Sequence, residues 1–255
     1  MANELWTREE LILAIKLYCE LPFGRMHKGN PEVIKLGELI GRTPSAVAYK
    51  LVNFASFDHS LKSRGIRGMK HTSKLDEEIW EEFYNDWEEL AYVSAKLYSE
   101  WKKKPLERLY DINENELPKE EKERERIVKT RVNQAFFRNT VLASYDFKCC
   151  ITGINNPNLL IAGHIIPWSE DKKNRLNPRN GLCLNPLHDK AFENGLITIL
   201  PDYKIKISRI LKEDAHDSIE SYFLKFENHK INFPTRFLPD KQFLEAHNAK
   251  FREQY

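Results

Sequence analysis

The sequence predicts an α+β chain: a mainly helical N-terminal part, a helical and charged connector, and a C-terminal part in which strands first appear. Three observations predict it. The first hundred residues repeat apolar side chains at helical spacing behind capping residues. A strand–loop–strand–helix pattern runs from Leu159 to Glu193, and two alternating segments, 195–199 and 203–207, follow it. Helical period, alternation and turn residues separate these element types. The 255 residues suffice for two domains, each burying its own core. The expected divisions are 1–95, a linker at 96–125, and 126–255.

Thr7-Arg8-Glu9-Glu10 before an apolar run is a capping box, so the first helix starts at Thr7 and carries Leu11, Ile12, Ile15 and Tyr18. Pro22 and Gly24 end it. Asn30-Pro31 opens a second helix, which Gly41 stops. A third begins at Thr43-Pro44 and reaches about Phe54. Two short helices joined by a tight glycine turn are the helix-turn-helix pattern.

On the third helix Val47, Leu51 and Phe54 share one face. Ser45, Tyr49 and Asn53 lie opposite, with Arg42 and Lys50 at the flanks. Asn suits adenine, and Arg or Lys suits guanine or phosphate, so this face is a candidate DNA-reading surface. The same pattern fits a small helical scaffold with a polar outer face. Residues 62–71 hold four cations, Arg64 and Arg67 among them, and two glycines. They are similar to the wing of a winged helix-turn-helix module, a loop that follows phosphates.

From Asp76 to about Trp101 one long helix is expected. Its stripe of Ile79, Trp80, Phe83, Tyr84, Trp87 and Leu90 reads as core, and its carboxylates at 76–78, 81 and 82 as a solvated face. Residues 102–125 are polar and read as a linker entering a charged helix. The helix around Arg131 and Arg138 has a basic flank.

Charge is distributed in blocks. The net is +5 over residues 1–75, −7 over 76–96, −2 over 97–125 and +4 over 126–148, within a total of +2. Two basic blocks point to an anionic partner although the total is near zero. No apolar run approaches a membrane span. No secretory signal opens the sequence, and the four cysteines make no CxxC pair, so a reduced, cytoplasmic protein is expected.

The chemistry concentrates after Arg131. Leu159 to Trp168 reads as a strand bearing His164, Asn180 to Leu184 as a second strand, and Pro186 to Glu193 as a short helix bearing His188 and Asp189. Phe136-x-Arg138-x-x-Val141-Leu142-x-x-Tyr145, Cys150-x-Thr152-Gly153, His164-Ile165-Ile166-Pro167-Trp168, Asn180-Gly181-Leu182 and Leu187-His188-Asp189-Lys190-Ala191-Phe192 follow in order. This constellation resembles the HNH endonuclease family over about residues 126–200.

The resemblance implies a ββα-metal nuclease fold and phosphodiester hydrolysis in double-stranded DNA, in a restriction-type enzyme that often acts as a homodimer. It implies His164 as general base, Asn180 as the residue fixing the loop between the strands, and a divalent ion, Mg²⁺ or Mn²⁺. Family ligands come from the residue before the catalytic His and from the helix. Asp189 matches by count; His188 is one residue short of it and stays a competing catalytic or ligand candidate, and Glu193 lies one turn on. Adjacent residues diverge by about 100° on a helix, so His188 and Asp189 should not share an ion. Gly163 stands where many relatives carry an Asp ligand. Ile154, Asn185 and His188 stand where zinc partners of Cys150 would be, so no structural zinc is expected. The missing ligand keeps a second reading open, a catalytically silent DNA-binding protein of the same fold; an RNA-directed nuclease is a third.

Overall fold

The computed structural model describes residues 5–58, 61–62, 65, 72–214 and 216–254. It is mainly helical with two small antiparallel sheets, an α+β chain. It divides into two compact units, Met1–Ala143 and Ser144–Tyr255.

The first unit holds helices α1 (Arg8–Glu20), α2 (Pro31–Ile40), α3 (Pro44–Phe54), α4 (Lys74–Tyr84), α5 (Trp87–Lys102), α6 (Leu106–Leu109) and nearly all of α7 (Glu121–Ser144). The caps form as the sequence requires. The Thr7 hydroxyl accepts from the Glu10 amide, and the Glu10 carboxylate accepts from the Thr7 amide at 2.9 Å. Asn30 and Thr43 cap α2 and α3, each with Pro at the first helical position. Gly41 turns the chain between these helices at φ 69°, a left-handed conformation that costs glycine little.

The single helix expected from Asp76 to Trp101 is two. Asp86 caps a fresh start, its carboxylate accepting from the Glu89 amide at 3.0 Å, and α4 ends at Tyr84. The apolar stripe survives the break and closes the core. Trp80 stacks on Phe54 at 5.9 Å and meets Tyr18 edge-on at 5.5 Å. Within the polar stretch after α5, Leu106, Tyr110, Ile112 and Leu117 pack against Ala95, Val128 and Val132, so this segment has its own small core.

In the second unit β1 (Ile161–His164) pairs antiparallel with β2 (Gly181–Leu184), placing Gly163 opposite Leu182 and His164 opposite Gly181. Helix α8 (Pro186–Glu193) follows at once. β3 (Ile197–Ile199) and β4 (Ile205–Ile207) form the expected hairpin, with Asp202 accepting from the Lys204 amide. Short helices α9 (Arg209–Glu213) and α10 (Asp217–Tyr222) come next, and α11 (Lys241–Lys250) returns to pack on β3. All four cysteines are buried thiols. No described helix is long and apolar enough to cross a membrane.

Candidate active site

His164 stands at the end of β1, where the chain leaves the sheet for the 165–180 loop. Its Nε2–H donates to the Arg175 carbonyl, 2.8 Å away, which makes Nδ1 the basic nitrogen. Trp168 meets the imidazole edge-on at 5.7 Å and carries the Arg175 guanidinium on its face at 5.0 Å. Burial holds the His164 ring below the usual histidine value, with the Arg175 carbonyl pulling the other way.

Asn180 holds that loop. It is 0% exposed. Its Oδ1 accepts from the Ile166 amide at 2.8 Å, and its Nδ2 donates to the Ile166 and Asn174 carbonyls at 3.1 and 3.3 Å. The Ile165 amide donates to the Asn180 carbonyl at 2.9 Å. Asp171 adds a second knot, accepting from the amides of Lys173 and Asn174 at 3.0 Å. The residue that carries the imidazole and the residue that orients it are therefore fixed to one frame.

Asn185 caps α8, accepting from the His188 amide at 2.9 Å. His188 does not join His164. It is 2% exposed, and both ring nitrogens are used by the fold. Nδ1 accepts from Asn185 Nδ2 at 2.9 Å, and Nε2–H donates to the Tyr222 carbonyl at 2.7 Å. Phe223 and Phe226 meet its ring edge-on at 5.3 and 5.8 Å. A ring donating and accepting in this way ties α8 to α10, and with both nitrogens engaged by the fold its candidacy as catalytic residue or ligand is corrected.

Asp189 points elsewhere. Its Oδ1 lies against Gly163, so close that a Cβ at residue 163 would sit about 1 Å inside ordinary van der Waals contact. The position that lacks a carboxylate of its own is thus filled by one from α8. Burial pushes the Asp189 carboxyl up, and Glu193 adds to the shift. Glu193, one turn later, is exposed and paired with Lys190 at 2.8 Å. It lines a cleft of 490 Å³ together with His164, Pro167, Glu170, His247 and Lys250. Among the described residues, no group of three or more His, Cys, Asp or Glu comes together that could hold a metal ion.

His247 carries no signal in the sequence, yet it builds one wall of this cleft. It stacks on Phe192 at 3.8 Å, its Nε2 donates to the Phe192 carbonyl at 3.1 Å, and its Nδ1 lies 2.8 Å from the Thr198 hydroxyl. Burial brings its ring down to about 4. Trp168 and Arg175 were within reach of sequence reasoning, since Trp168 closes the His164 block and Arg175 lies in the loop that the block opens.

The candidate DNA-reading residues divide. Ser45 and Tyr49 are exposed on α3, and Arg131 and Arg138 are exposed on α7. Lys50 and Asn53 are buried, a correction to their expected outward placement. The Lys50 ammonium donates to both oxygens of Asp76 at 2.8 Å, which also removes Asp76 from the solvated face expected of it. Arg42 donates to Glu10 and to the Leu5 carbonyl at 2.8 Å and lies over Trp6 at 4.6 Å. Arg64, Arg67 and most of the expected wing lie outside the described residues.

Residues 149–200 match the family model described as HNH endonuclease. A search of curated proteins finds no match to the chain.

Proposed function

We propose that this chain, whose residues 149–200 form an HNH endonuclease domain, is a metal-dependent deoxyribonuclease of restriction type, reading DNA with its first unit and cutting it with its second. The observation that carries the reading is His164: a half-buried imidazole whose Nε2–H is committed to a backbone carbonyl, so that Nδ1 can take a proton. In the reaction His164 accepts a proton from water, the hydroxide attacks phosphorus, the P–O bond to the leaving oxygen breaks, and that oxygen is protonated from solvent. Because the imidazole is held below the usual value, it is ready as a base at neutral pH. Asn180 keeps the loop, and with it the Arg175 carbonyl, in register with His164.

The donor set suits a hard divalent ion. Two carboxylates stand one turn apart on α8, one against Gly163, and oxygen donors favour Mg²⁺ or Mn²⁺. Asp189 would hold the ion, with Glu193 as second ligand and water and phosphate completing the shell; the ion would neutralise charge on the phosphate and leaving oxygen. Ser45, Tyr49, Arg131 and Arg138 are the exposed candidates for duplex contact.

Gly163, standing where many HNH nucleases carry an Asp ligand, supports the second reading, a DNA-binding protein with a silent nuclease fold. Purified protein incubated with plasmid and Mg²⁺ or Mn²⁺ separates the two. Cutting that is lost in His164→Ala and Asp189→Asn supports the nuclease. His164→Ala cutting as fast as the parent removes its role, and duplex binding without cutting under either metal favours the silent protein. RNA competing better than duplex DNA would move the substrate to RNA.

A further inference from the structure

We propose that Lys250, on a helix beyond the HNH segment, binds the phosphate attacked by the water that His164 deprotonates. The inference rests on the reading of His164 as base. Phosphate entering the cleft beside His164 meets the carboxylates of Glu170 and Glu193, and so needs a cation from another wall. Lys250 is that cation: it lines the same cleft from the end of α11.

The helix that presents it is firmly held. His247, one turn earlier, stacks on Phe192 and bonds its carbonyl, while Asn248 Nδ2 donates to the Ile199 carbonyl at 3.1 Å. Phe251, the next residue, packs over Gly195 with its ring 5.0 Å from that of His247. Little main-chain freedom is then left to lose when the ammonium engages a ligand.

Lys250 Nζ rests on Glu170 at 2.6 Å, joining α11 to the 165–180 loop, and both side chains are about half exposed. Exposed ion pairs contribute little to stability, so phosphate can displace the carboxylate at small cost. Glu170 therefore acts as a placeholder that keeps the cation aimed at the cleft and competes with phosphate for it. Within the cleft Lys250 serves as a point charge able to follow the phosphate through the reaction.

Opposite signs in two variants test this. Binding of the full chain to a short DNA duplex is measured against salt in EDTA, so the readout does not depend on metal or on cutting. Lys250→Ala should lower the slope of log K against log salt by about 0.9, the loss of one phosphate contact, and Lys250→Arg should restore it. Glu170→Gln should strengthen duplex binding several-fold by releasing the cation. In metal-supported cleavage Lys250→Ala should lose on the order of 100-fold in rate. A structural ion pair predicts that both variants weaken binding and melt earlier together, and that result, or an unchanged slope in Lys250→Ala, overturns the inference. If the parent cuts no DNA under any metal while the two variants still shift binding oppositely, the nuclease reading fails and the phosphate site stands. If the parent cuts and the variants shift together, the reverse holds. No duplex binding at any salt overturns both.

Discussion

Gly163→Ala is the smallest change that separates the candidate site from the fold. A Cβ there would meet Asp189 Oδ1 about 1 Å inside ordinary contact, while Leu184 Cδ1 stands at an unstrained 3.5 Å. The sheet accepts alanine, since residue 163 has no left-handed backbone. The carboxylate is the end of a rotatable side chain and can swing off β1. The cost to folding should therefore be on the order of 1 kcal/mol, the low end for adding a methyl to a packed place. The site has no such tolerance: a displacement of about 1 Å in a group holding a reacting centre costs on the order of 100-fold in rate. Calorimetric titration with Mn²⁺, plasmid cleavage and a thermal melt on one preparation decide it. The expected result is a near-native melt with metal affinity and cutting both reduced by one to two orders of magnitude. Metal affinity and cutting equal to the parent would refute the placement of Asp189 as ligand.

Asn180→Ala strands the half-buried Ile166 amide and carbonyl and should cost about 1–2 kcal/mol, read by urea unfolding, with faster amide exchange confined to 165–180. Lys50→Ala leaves the buried Asp76 carboxylate with the Ser73 amide but no counter-charge and should cost about 3–5 kcal/mol, whereas Lys50→Met with Asp76→Leu should cost only about 1 kcal/mol, the lost cap bond to Ser73, by thermal melt. A merely DNA-facing lysine would leave the melt unmoved. His247 gives a pH signature: its folded value of about 4 lies below the ordinary 6.5, so the unfolded chain binds a proton that the folded chain refuses. Stability should fall as pH drops from 6.5 to 4, by on the order of 3 kcal/mol in all, and His247→Gln should flatten that limb of the curve in pH-dependent urea titrations.

What the sequence disclosed and what it hid follow from the range of the interactions involved. Caps, turns and the α2–α3 glycine are local, each set by residues within four positions, and they read off directly. The strand–loop–strand–helix order was likewise legible, because these elements are consecutive in the chain, and the hold of Asn180 on the loop was what the family resemblance implied. The break between α4 and α5 was hidden since the aromatic stripe runs through it in phase, and a single carboxylate at Asp86 decides the restart. Lys50 looked outward because its partner, Asp76, lies 26 positions away, a pairing that no helical period records.

The same physics separates His188 from Asp189. Counting along the chain leaves both open, since they are neighbours on one turn. What distinguishes them is the company each keeps at long range. His188 meets a carbonyl and two aromatic rings contributed by residues 222–226, which turn a polar ring into a core tether. Asp189 meets a glycine on β1, which seats its carboxylate against the strand that ends at His164. A glycine where a ligand is expected reads in sequence as a loss. In space the missing side chain makes the room that the Asp189 carboxylate occupies, so Gly163 and Asp189 act as a complementary pair. Substituting an acid at 163 should accordingly displace Asp189 and fail to strengthen metal binding, and an Asp at 163 that raises Mn²⁺ affinity in calorimetric titration would show that the two positions are independent ligands after all.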